Sequence, residues 1–486
     1  MYRTVAQLDL VTQQLAQSFP QQCTRFQLPE ASVQGRPVHA LRIRAGTGEG
    51  RRGVLLIGGV HARELMNPDM LVELAVHLIT SYRNGTDLVL GARVWPAQDI
   101  RVMLETLDVY VLPCSNPDGR HHVMTVDDMW RKNRRVNQGT SCVGVDLNRN
   151  TDLLWGVTEG QTSCAACADT FVGPAVFSEP ESRNVRHMLD THRIDCFVDV
   201  HSYSELVLYP WGHASTQTTD PTKRFPTLAT GTCEPLPDPA YLEYMSPQDL
   251  QRFTTVAQRV VAAIADVRGR VYTAQPGKGL YGTTGTNSDH AYGRHISDAT
   301  KHKTYGYTFE TGPWMGNAPD SFHPPDPEPV KREAESGALA LIQQCICAIE
   351  LIGTQVLGRR DEIDVLRRVR DQVLATTPAG REWIRLFERV QGPAVHVATA
   401  DESLMRRMAD GIARAGQLAA DETNRLDRET TADILRLLGE IDERAASVEV
   451  SAGVFAVRDV LEGAREQTVG QVLAQLASRG PRVVGA

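Results

Sequence analysis

Two short motifs place histidine and glutamate side chains where apolar, strand-like runs end. His61 and Glu64 lie three residues apart in GGVHARELMNP, at the end of the run 54–60, and His201 ends a second apolar run in DVHSYSELVLYPWG. Histidine nitrogens and carboxylate oxygens are normal zinc ligands, and three of them leave a fourth position open for water, as in catalytic zinc sites. A structural zinc would usually bring four ligands, often cysteines, and these strand ends offer none. The three residues therefore predict a catalytic metal site.

Two further motifs supply groups that a hydrolase needs around such a metal. The segment WRKNRRVNQGTSCVGVDLNRN holds Arg131, Asn148 and Arg149, with Asp146 just upstream of the last two. Arginine suits planar carboxylate recognition, and a neighbouring amide adds hydrogen-bond donors. Glu310 ends the strand-like run YGYTFE between an aromatic residue and a nearby glycine, which favours a position facing a partly desolvated cleft.

Strand-like and helical patterns alternate over the first 350 residues. This alternation predicts an α/β layer fold with a largely buried sheet, in which sites form at the carboxyl ends of strands. The predicted strands are 37–44, 54–60, 107–113, 195–201, 206–211 and 305–310. Helical periodicity covers 67–82, 179–192, 247–266 and 330–352.

The pattern changes after Gly353, where strand signals stop and charges of both signs become more frequent. Apolar stripes at helical spacing continue to the end of the chain, and they are typical of core packing. Examples are Leu404, Met408 and Ile412, and further along Ile434, Leu438 and Ile441. We therefore predict two domains, a catalytic domain over 1–354 and an all-helical C-terminal extension over 355–486.

The four motifs, in this order and with these gaps, resemble the zinc carboxypeptidase family, which includes the pancreatic digestive carboxypeptidases. The resemblance extends from about residue 1 to 353. It implies an α/β fold with a mixed, mostly eight-stranded twisted sheet and helices on both faces. It also implies one zinc ion per chain as the cofactor.

The same resemblance gives each motif residue a role in metal binding or catalysis. His61, Glu64 and His201 match the zinc ligands, and Asp146 matches the acid that orients the first of these histidines. Glu310 matches the glutamate that takes the proton of the attacking water and returns it to the leaving amine.

The substrate-binding residues follow in the same way. Arg131 matches the arginine that polarises the scissile carbonyl, and Asn148 with Arg149 matches the pair that binds a free C-terminal carboxylate. Tyr281 matches a mobile tyrosine that closes over the substrate. Further contacts are expected from Arg63, Tyr203 and Ser288.

The resemblance implies hydrolysis of the C-terminal peptide bond of peptides or proteins. Ser288 matches the position that largely sets the side-chain preference, and the other expected wall positions are neutral as well. Because a charged side chain would lose hydration there without gaining a counter-ion, we predict release of neutral C-terminal residues. The wall positions besides Ser288 are Leu208, Gly212, Thr283 and Thr308.

Three other functions remain open at this stage. A catalytically dead binding module would keep the fold but lose the base or a ligand, whereas this chain keeps both. An amidase of bacterial cell-wall peptides would use the same zinc chemistry on another substrate. A deglutamylating carboxypeptidase would need a basic pocket for an acidic side chain. The residues of the substrate pocket, and not the metal ligands, would decide whether either of the last two functions applies.

Composition limits the partners. The net charge of −8 over 486 residues gives no support for nucleic-acid binding. No segment approaches eighteen uninterrupted apolar residues, so we expect no membrane span. The polar N-terminal segment lacks the pattern of a secretory signal and favours the cytoplasm, with a leaderless or mature exported form as the alternative. The helical extension is a candidate surface for a partner or for self-association.

The nine cysteines are an odd number, so they cannot all pair within one chain. The sequence favours buried thiols at four positions in apolar or helical runs: Cys114, Cys196, Cys345 and Cys347. Cys142, Cys164 and Cys167 cluster around the functional motifs. The family resemblance implies a Cys142–Cys167 bridge, with Cys164 as a competitor for Cys167.

Overall fold

The computed structural model divides the chain into two compact units, Met1–Cys345 and Ile346–Ala486. The predicted boundary at 354/355 falls outside the residues that the structure describes. Those residues are 2–46, 51–227, 231–346, 365–366, 368–374, 376–384, 386–387, 402–445, 448–464 and 467–481.

The first unit contains an eight-stranded mixed sheet and a separate two-stranded hairpin. The strands are β1 (Cys23–Gln27), β2 (His39–Ile43), β3 (Arg52–Gly58), β4 (Leu88–Leu90), β5 (Arg93–Trp95), β6 (Leu107–Leu112), β7 (Ile194–His201), β8 (Leu206–Tyr209), β9 (Thr273–Pro276) and β10 (Tyr305–Glu310). The order in the large sheet is β1-β2-β6-β3-β7-β10-β8-β9, and β4 pairs with β5. The predicted mixed eight-stranded sheet is thus confirmed.

Nine helices are described in this unit. They are α1 (Val5–Ser18), α2 (Met66–Asn84), α3 (Ala97–Thr106), α4 (Pro117–Thr125), α5 (Pro180–Thr191), α6 (Pro247–Arg268), α7 (Asn287–Ser297), α8 (Ala318–Phe322) and α9 (Glu328–Gln344). Local signals explain their ends. In α6, Ser246 accepts a hydrogen bond from the Asp249 amide at 3.1 Å, Pro247 opens the helix, and Gly269 closes it in the left-handed conformation.

Both faces of the sheet are covered. Alternate residues of a strand point to opposite faces, and Leu55 and Ile57 of β3 pack in one cluster with Val185 and Met188 of α5. Leu56, on the opposite face of β3, is also fully buried, and α2 contacts β3. Burial on both faces explains why apolar residues occupy successive positions of β3 and β6, and most positions of β7, without the alternation of a half-exposed strand.

The four central strands run parallel to one another. β6, β3, β7 and β10 pair in parallel, whereas β1, β2 and β8 join by antiparallel pairing. Parallel strands bring their carboxyl ends to one edge of the sheet, where open α/β sheets bind ligands. The motifs at the ends of β3, β7 and β10 therefore meet at the same edge.

The second unit is described mainly as helices. Its well-defined helices are α10 (Glu402–Ala419), α11 (Arg428–Ala445), α12 (Val448–Gly463) and α13 (Val469–Ser478). Leu404 and Met408 of α10 pack with Leu438 and Ile441 of α11 in one apolar cluster, so these stripe residues form core as expected. Among the described residues, no helix is both long and apolar enough to cross a membrane.

Three disulfides join segments of the first unit. Cys142 and Cys167 bond with their Cα atoms 5.0 Å apart, as the family resemblance implied. Cys164 bonds Cys233 instead of competing for Cys167. The expectation of buried thiols at Cys196 and Cys345 is wrong: the two residues pair across 149 positions of sequence, a separation that local patterns do not reveal. Cys347 lies outside the described residues.

Non-reducing peptide mapping should find the pairs 142–167, 164–233 and 196–345 in protein made in an oxidising compartment. Cys23 and Cys114 are the built-in controls, because the structure leaves both as thiols. They should be alkylated in the denatured, unreduced protein, whereas the six paired cysteines should not. Alkylation of Cys196 and Cys345 under these conditions would contradict the third bridge.

Candidate metal centre

Three strand ends form the floor of the centre. His201 and Glu310 are the last residues of β7 and β10 and are register partners in the parallel pair. His61 and Glu64 lie in the turn that follows β3, the other neighbour of β7. Gly59 takes φ +62° at the start of this turn, and a Cβ there would lie 2.9 Å from the Pro68 ring, which explains the glycine.

The three predicted ligands converge on one point. The Nδ1 atoms of His61 and His201 are 3.0 Å apart. Glu64 Oε1 lies 2.7 Å from His61 Nδ1, and Glu64 Oε2 lies 3.1 Å from His201 Nδ1. All three side chains are buried. Among the described residues this is the one group of histidines, cysteines and acids whose donor atoms could share a metal ion. A set of two imidazoles and one carboxylate fits zinc and leaves a coordination position for water.

The outer nitrogen of each histidine faces a carboxylate. His61 Nε2 lies 3.2 Å from Asp146 Oδ1, and His201 Nε2 lies 2.9 Å from Asp199 Oδ2. A carboxylate on the outer nitrogen fixes the tautomer in which the inner nitrogen binds metal. The two Nδ1 atoms are therefore the ones available as ligands.

The charges around the ligands favour a cation. Burial acts to raise the pKa of Glu64, but His61 and His201 hold this pKa well below its usual range. Burial acts to lower the pKa of His201, but Asp199 and Glu64 raise it well above its usual range. A metal ion that binds here competes with a proton for His201.

Glu310 is buried beside these ligands. Burial raises its pKa to about 8; His201 and Arg131 act against this rise, and Glu64 and Asp199 add to it. A divalent cation at the centre would lower that pKa by favouring the carboxylate form. A buried carboxylate whose pKa is adjusted toward neutrality is suited to general-base chemistry.

Arg131 is held against the centre by Asp146. Its Nε and one terminal nitrogen donate to Asp146 Oδ2 at 3.1 and 2.8 Å, and its carbonyl accepts from the Ala62 amide at 2.9 Å. The other oxygen of Asp146 faces His61. One buried carboxylate thus fixes both a candidate metal ligand and the guanidinium expected to polarise a carbonyl.

Asn148 and Arg149 lie in a short turn that Asp146 caps by accepting from the Asn148 amide at 2.9 Å. The guanidinium of Arg149 is buried and donates to the carbonyls of Gln161 and Asn148, each at 2.7 Å. Among the described residues it has no carboxylate ion-pair partner. A buried arginine without an acidic partner is suited to receive a carboxylate from a ligand.

The other expected substrate contacts lie around these groups. Arg63 stacks over Phe322 with its guanidinium carbon 4.5 Å from the ring centre. Tyr203 packs against the same ring at 4.9 Å and against Trp314 at 5.5 Å. Tyr281 is 37% exposed, in the loop that precedes α7, as a residue that moves over substrate would need to be.

Ser288 lies in the first turn of α7, which Thr286 caps by accepting from the Asp289 amide at 3.2 Å. The neighbouring Asn287 amide donates to Asn148 Oδ1 at 2.8 Å, so the start of this helix is fixed beside the expected carboxylate-binding residues. Thr308 of β10 is the register partner of Leu208 in β8, which places two of the expected wall residues side by side.

Sequence reasoning missed Asp199 and Asn287. Asp199 lies two residues before His201 in the same strand, so both side chains point to one face of the sheet. That spacing, with an acid next to a candidate zinc histidine, was a usable signal. Asn287 gave no such signal, since its contact with Asp199 depends on the packing of α7 against β7.

A scan against protein-family models matches residues 9–336 to the zinc carboxypeptidase model. Mouse carboxypeptidase A4 is 29% identical over 298 residues, which are 61% of this chain and 59% of that protein. Bovine carboxypeptidase B is 27% identical over 312 residues, 64% of this chain and 62% of that protein. The chain thus spans less than two thirds of the length of these curated relatives.

Solved structures show the same fold. Carboxypeptidase A from Helicoverpa armigera aligns with a TM-score of 0.52 and 23% identity, over 71% of this chain and 74% of that one. Bovine thrombin-activatable fibrinolysis inhibitor, solved in complex with tick carboxypeptidase inhibitor, aligns with a TM-score of 0.53 and 20% identity, over 71% of this chain and 97% of that one. At these identities the likeness concerns architecture alone.

Proposed function

Because this chain belongs to the zinc carboxypeptidase family, we propose that it is a zinc-dependent metallocarboxypeptidase that hydrolyses the C-terminal peptide bond of peptides or proteins. One observation carries the proposal. The two histidine Nδ1 atoms and the Glu64 carboxylate meet at a single point, with Glu310 in register beside His201. The chain retains both the metal ligands and the base, which argues against a catalytically dead binding module.

Zinc bound by His61, Glu64 and His201, one ion per chain, would lower the pKa of a bound water toward about 7 and polarise the scissile carbonyl. Glu310 takes the proton of the attacking water. It then returns a proton to the nitrogen of the leaving residue, so the glutamate ends the cycle in the state in which it began.

Arg131 stabilises the negative charge that develops on the carbonyl oxygen. Because Asp146 already holds one edge of its guanidinium, little reorganisation is needed when the charge appears. Electrostatic stabilisation by groups fixed in advance often contributes more to rate acceleration than any other effect in an active site.

Arg149 and Asn148 bind the free carboxylate of the substrate and so select chain ends over internal peptide bonds. Arg149→Ala should reduce kcat/KM for a free-acid peptide by roughly 30- to 4,000-fold, since truncating one partner of a buried charge pair costs about 2–5 kcal/mol. Hydrolysis of the matched C-terminal amide, already slow, should change little. The measurement is kcat/KM for both peptides with wild-type and variant enzyme.

Arg93→Ala is the matched control for this test, because Arg93 lies on β5 and pairs with Asp266 away from the centre. It should leave both rates unchanged. An Arg149→Ala enzyme that still favoured the free acid over the amide as strongly as wild type would contradict the role of Arg149.

We further propose that the enzyme releases neutral C-terminal residues. The walls offered by Ser288, Thr308 and Leu208 carry no charge, and Lys278 is already paired with Glu159. Two buried acids complicate this expectation: Asp289 follows Ser288 and accepts from the amide of Gly212, another expected wall residue, at 3.0 Å, and Glu243 accepts from Tyr241 at 2.9 Å. Burial raises the pKa of each to about 7.

Matched peptides ending in Phe, Leu, Lys and Glu should show the highest kcat/KM for Phe or Leu. A tenfold advantage for Lys or Glu would contradict the prediction. Running the panel at pH 6 and pH 8 tests whether a buried acid is the cause, because Glu243 and Asp289 are mostly protonated below a pKa of about 7 and charged above it. A Lys preference that grows with pH would place one of these carboxylates in the pocket.

The compartment is a separate proposal. The sequence favours the cytoplasm, with an exported form as the alternative. Disulfides persist mainly in oxidising compartments, and the three bridges therefore favour the exported alternative. The physiological substrate remains a peptide or protein C-terminus of unspecified origin.

A further inference from the structure

Asp199 is a fully buried carboxylate that the proposed mechanism does not use. It lies in β7 two residues before His201, and its Oδ2 is 2.9 Å from His201 Nε2. Its other oxygen is also buried and has no hydrogen-bond partner. Among the described residues no lysine or arginine pairs with it. A buried charge of this kind is costly unless something opposite in sign compensates it.

The arrangement repeats on the other histidine, with one difference. Asp146 faces His61 at 3.2 Å and shares its charge with Arg131. Asp199 has no arginine partner among the described residues, and His201 is its one ion-pair partner there. A carboxylate on the outer nitrogen makes the imidazole a more basic ligand and fixes its ring orientation.

We propose that Asp199 is a positioning residue that fixes His201 as a zinc ligand and strengthens zinc binding. The proposal rests on the proposed zinc site. It identifies a second carboxylate–histidine pair in the centre, independent of the one formed by Asp146 and His61.

Asn287 holds Asp199 in place. Its side-chain amide donates to Asp199 Oδ2 at 2.8 Å, and its backbone amide donates to Asn148 Oδ1 at 2.8 Å. The orientation of the zinc histidine is thereby linked to the start of α7 and to the residue expected to bind the substrate carboxylate. The link is built from buried groups, so solvent does not screen it.

The test is the zinc affinity of Asp199→Asn, measured by competition with a chelator. The amide keeps the shape and can still accept a hydrogen bond, but it removes the charge. Zinc should bind roughly 10- to 100-fold more weakly, the usual effect of losing such a partner. Asp195→Asn is the matched control: it lies on the same strand, pairs with Arg52 and His302, and should leave zinc affinity within twofold of wild type.

Thermal unfolding separates positioning from mere structural support. In a positioning role, the rise in Tm that zinc produces should shrink in Asp199→Asn. The proposal would be overturned if Asp199→Asn lowered Tm, relative to wild type, by the same amount in the metal-free and the zinc-loaded protein and kept a zinc affinity within twofold of wild type. If Asp199→Asn does not fold, Asp199→Ser takes its place, and wild-type zinc affinity in that variant would overturn the proposal equally.

The wild-type protein separates this inference from the proposed function. A wild type that binds no zinc removes the basis for both. A wild type that binds zinc and releases C-terminal residues, together with an Asp199→Asn variant of unchanged affinity, overturns only the role of Asp199.

Discussion

Glu310→Gln should lower kcat for release of a C-terminal residue by roughly 10²- to 10⁴-fold while the protein keeps its fold and its zinc. The amide occupies the same volume at the end of β10 but cannot accept the proton of the attacking water. The ligand atoms of His61, Glu64 and His201 are untouched by the change, so metal content should stay at the wild-type level. The measurements are kcat and zinc per chain on the same preparation.

The pH profile gives a second readout of the same change. Burial raises the pKa of Glu310 and bound zinc would lower it, and the enzyme needs the carboxylate form, so wild-type activity should fall as pH drops through the pKa that Glu310 has in the zinc-loaded enzyme. The residual activity of the variant should lack this acidic limb. Glu335→Gln is a matched control, because Glu335 is also buried, in α9, but bonds His77 at 2.9 Å. A kcat for Glu310→Gln within a few-fold of wild type would mean that another residue is the base.

His201→Ala should lose most of its zinc. The substitution removes one of three protein ligands and leaves Glu64 and Asp199 without the ring that lies between them. The loss of affinity should exceed the roughly 10- to 100-fold effect of removing an outer partner of a ligand. Zinc per chain after dialysis against a weak chelator is the measurement.

The control for this variant is His192→Ala. His192 is half-buried and stacks on Tyr110 at 4.4 Å, and it precedes β7 at the end of the strand opposite His201. It should keep a full complement of zinc. Full retention of zinc in His201→Ala, with wild-type affinity, would contradict the ligand assignment.

The centre was predictable from sequence because its residues follow strands with a clear apolar pattern. β3, β7 and β10 are largely apolar strands buried on both faces, and the candidate ligands and the proposed base lie at or just after their ends. The metal site needs only that parallel strands end at one edge. The contacts that fix the outer nitrogens depend instead on packing between distant segments, so Asp199 was overlooked and the link from Asn287 could not be seen.

Other elements gave weaker signals. Strand β9 is four residues long, lies at the sheet edge and ends in proline, so no alternation identifies it. Helix α7 begins with polar residues that form a cap and include the expected pocket residue Ser288, and they do not form an apolar stripe. The Cys196–Cys345 bridge joins β7 to the end of α9. Both cysteines lie among apolar residues in the sequence, and this pattern does not indicate which cysteines pair.

The helical second unit was predictable in its secondary structure but not in its role. Its helices pack apolar stripes as the periodicity predicted, but the boundary at 354/355 lies outside the described residues. A role for this unit in binding a partner or in self-association remains a prediction.

We expect one zinc ion at this centre to make the chain a carboxypeptidase. The direct test is to titrate zinc into the metal-free protein and to follow release of the C-terminal residue from a free-acid peptide. The rate should be near zero without metal, rise with each addition and level off at one zinc per chain. A rate that does not depend on zinc, or a zinc-loaded protein that releases no C-terminal residue from any peptide of the panel, would contradict the account.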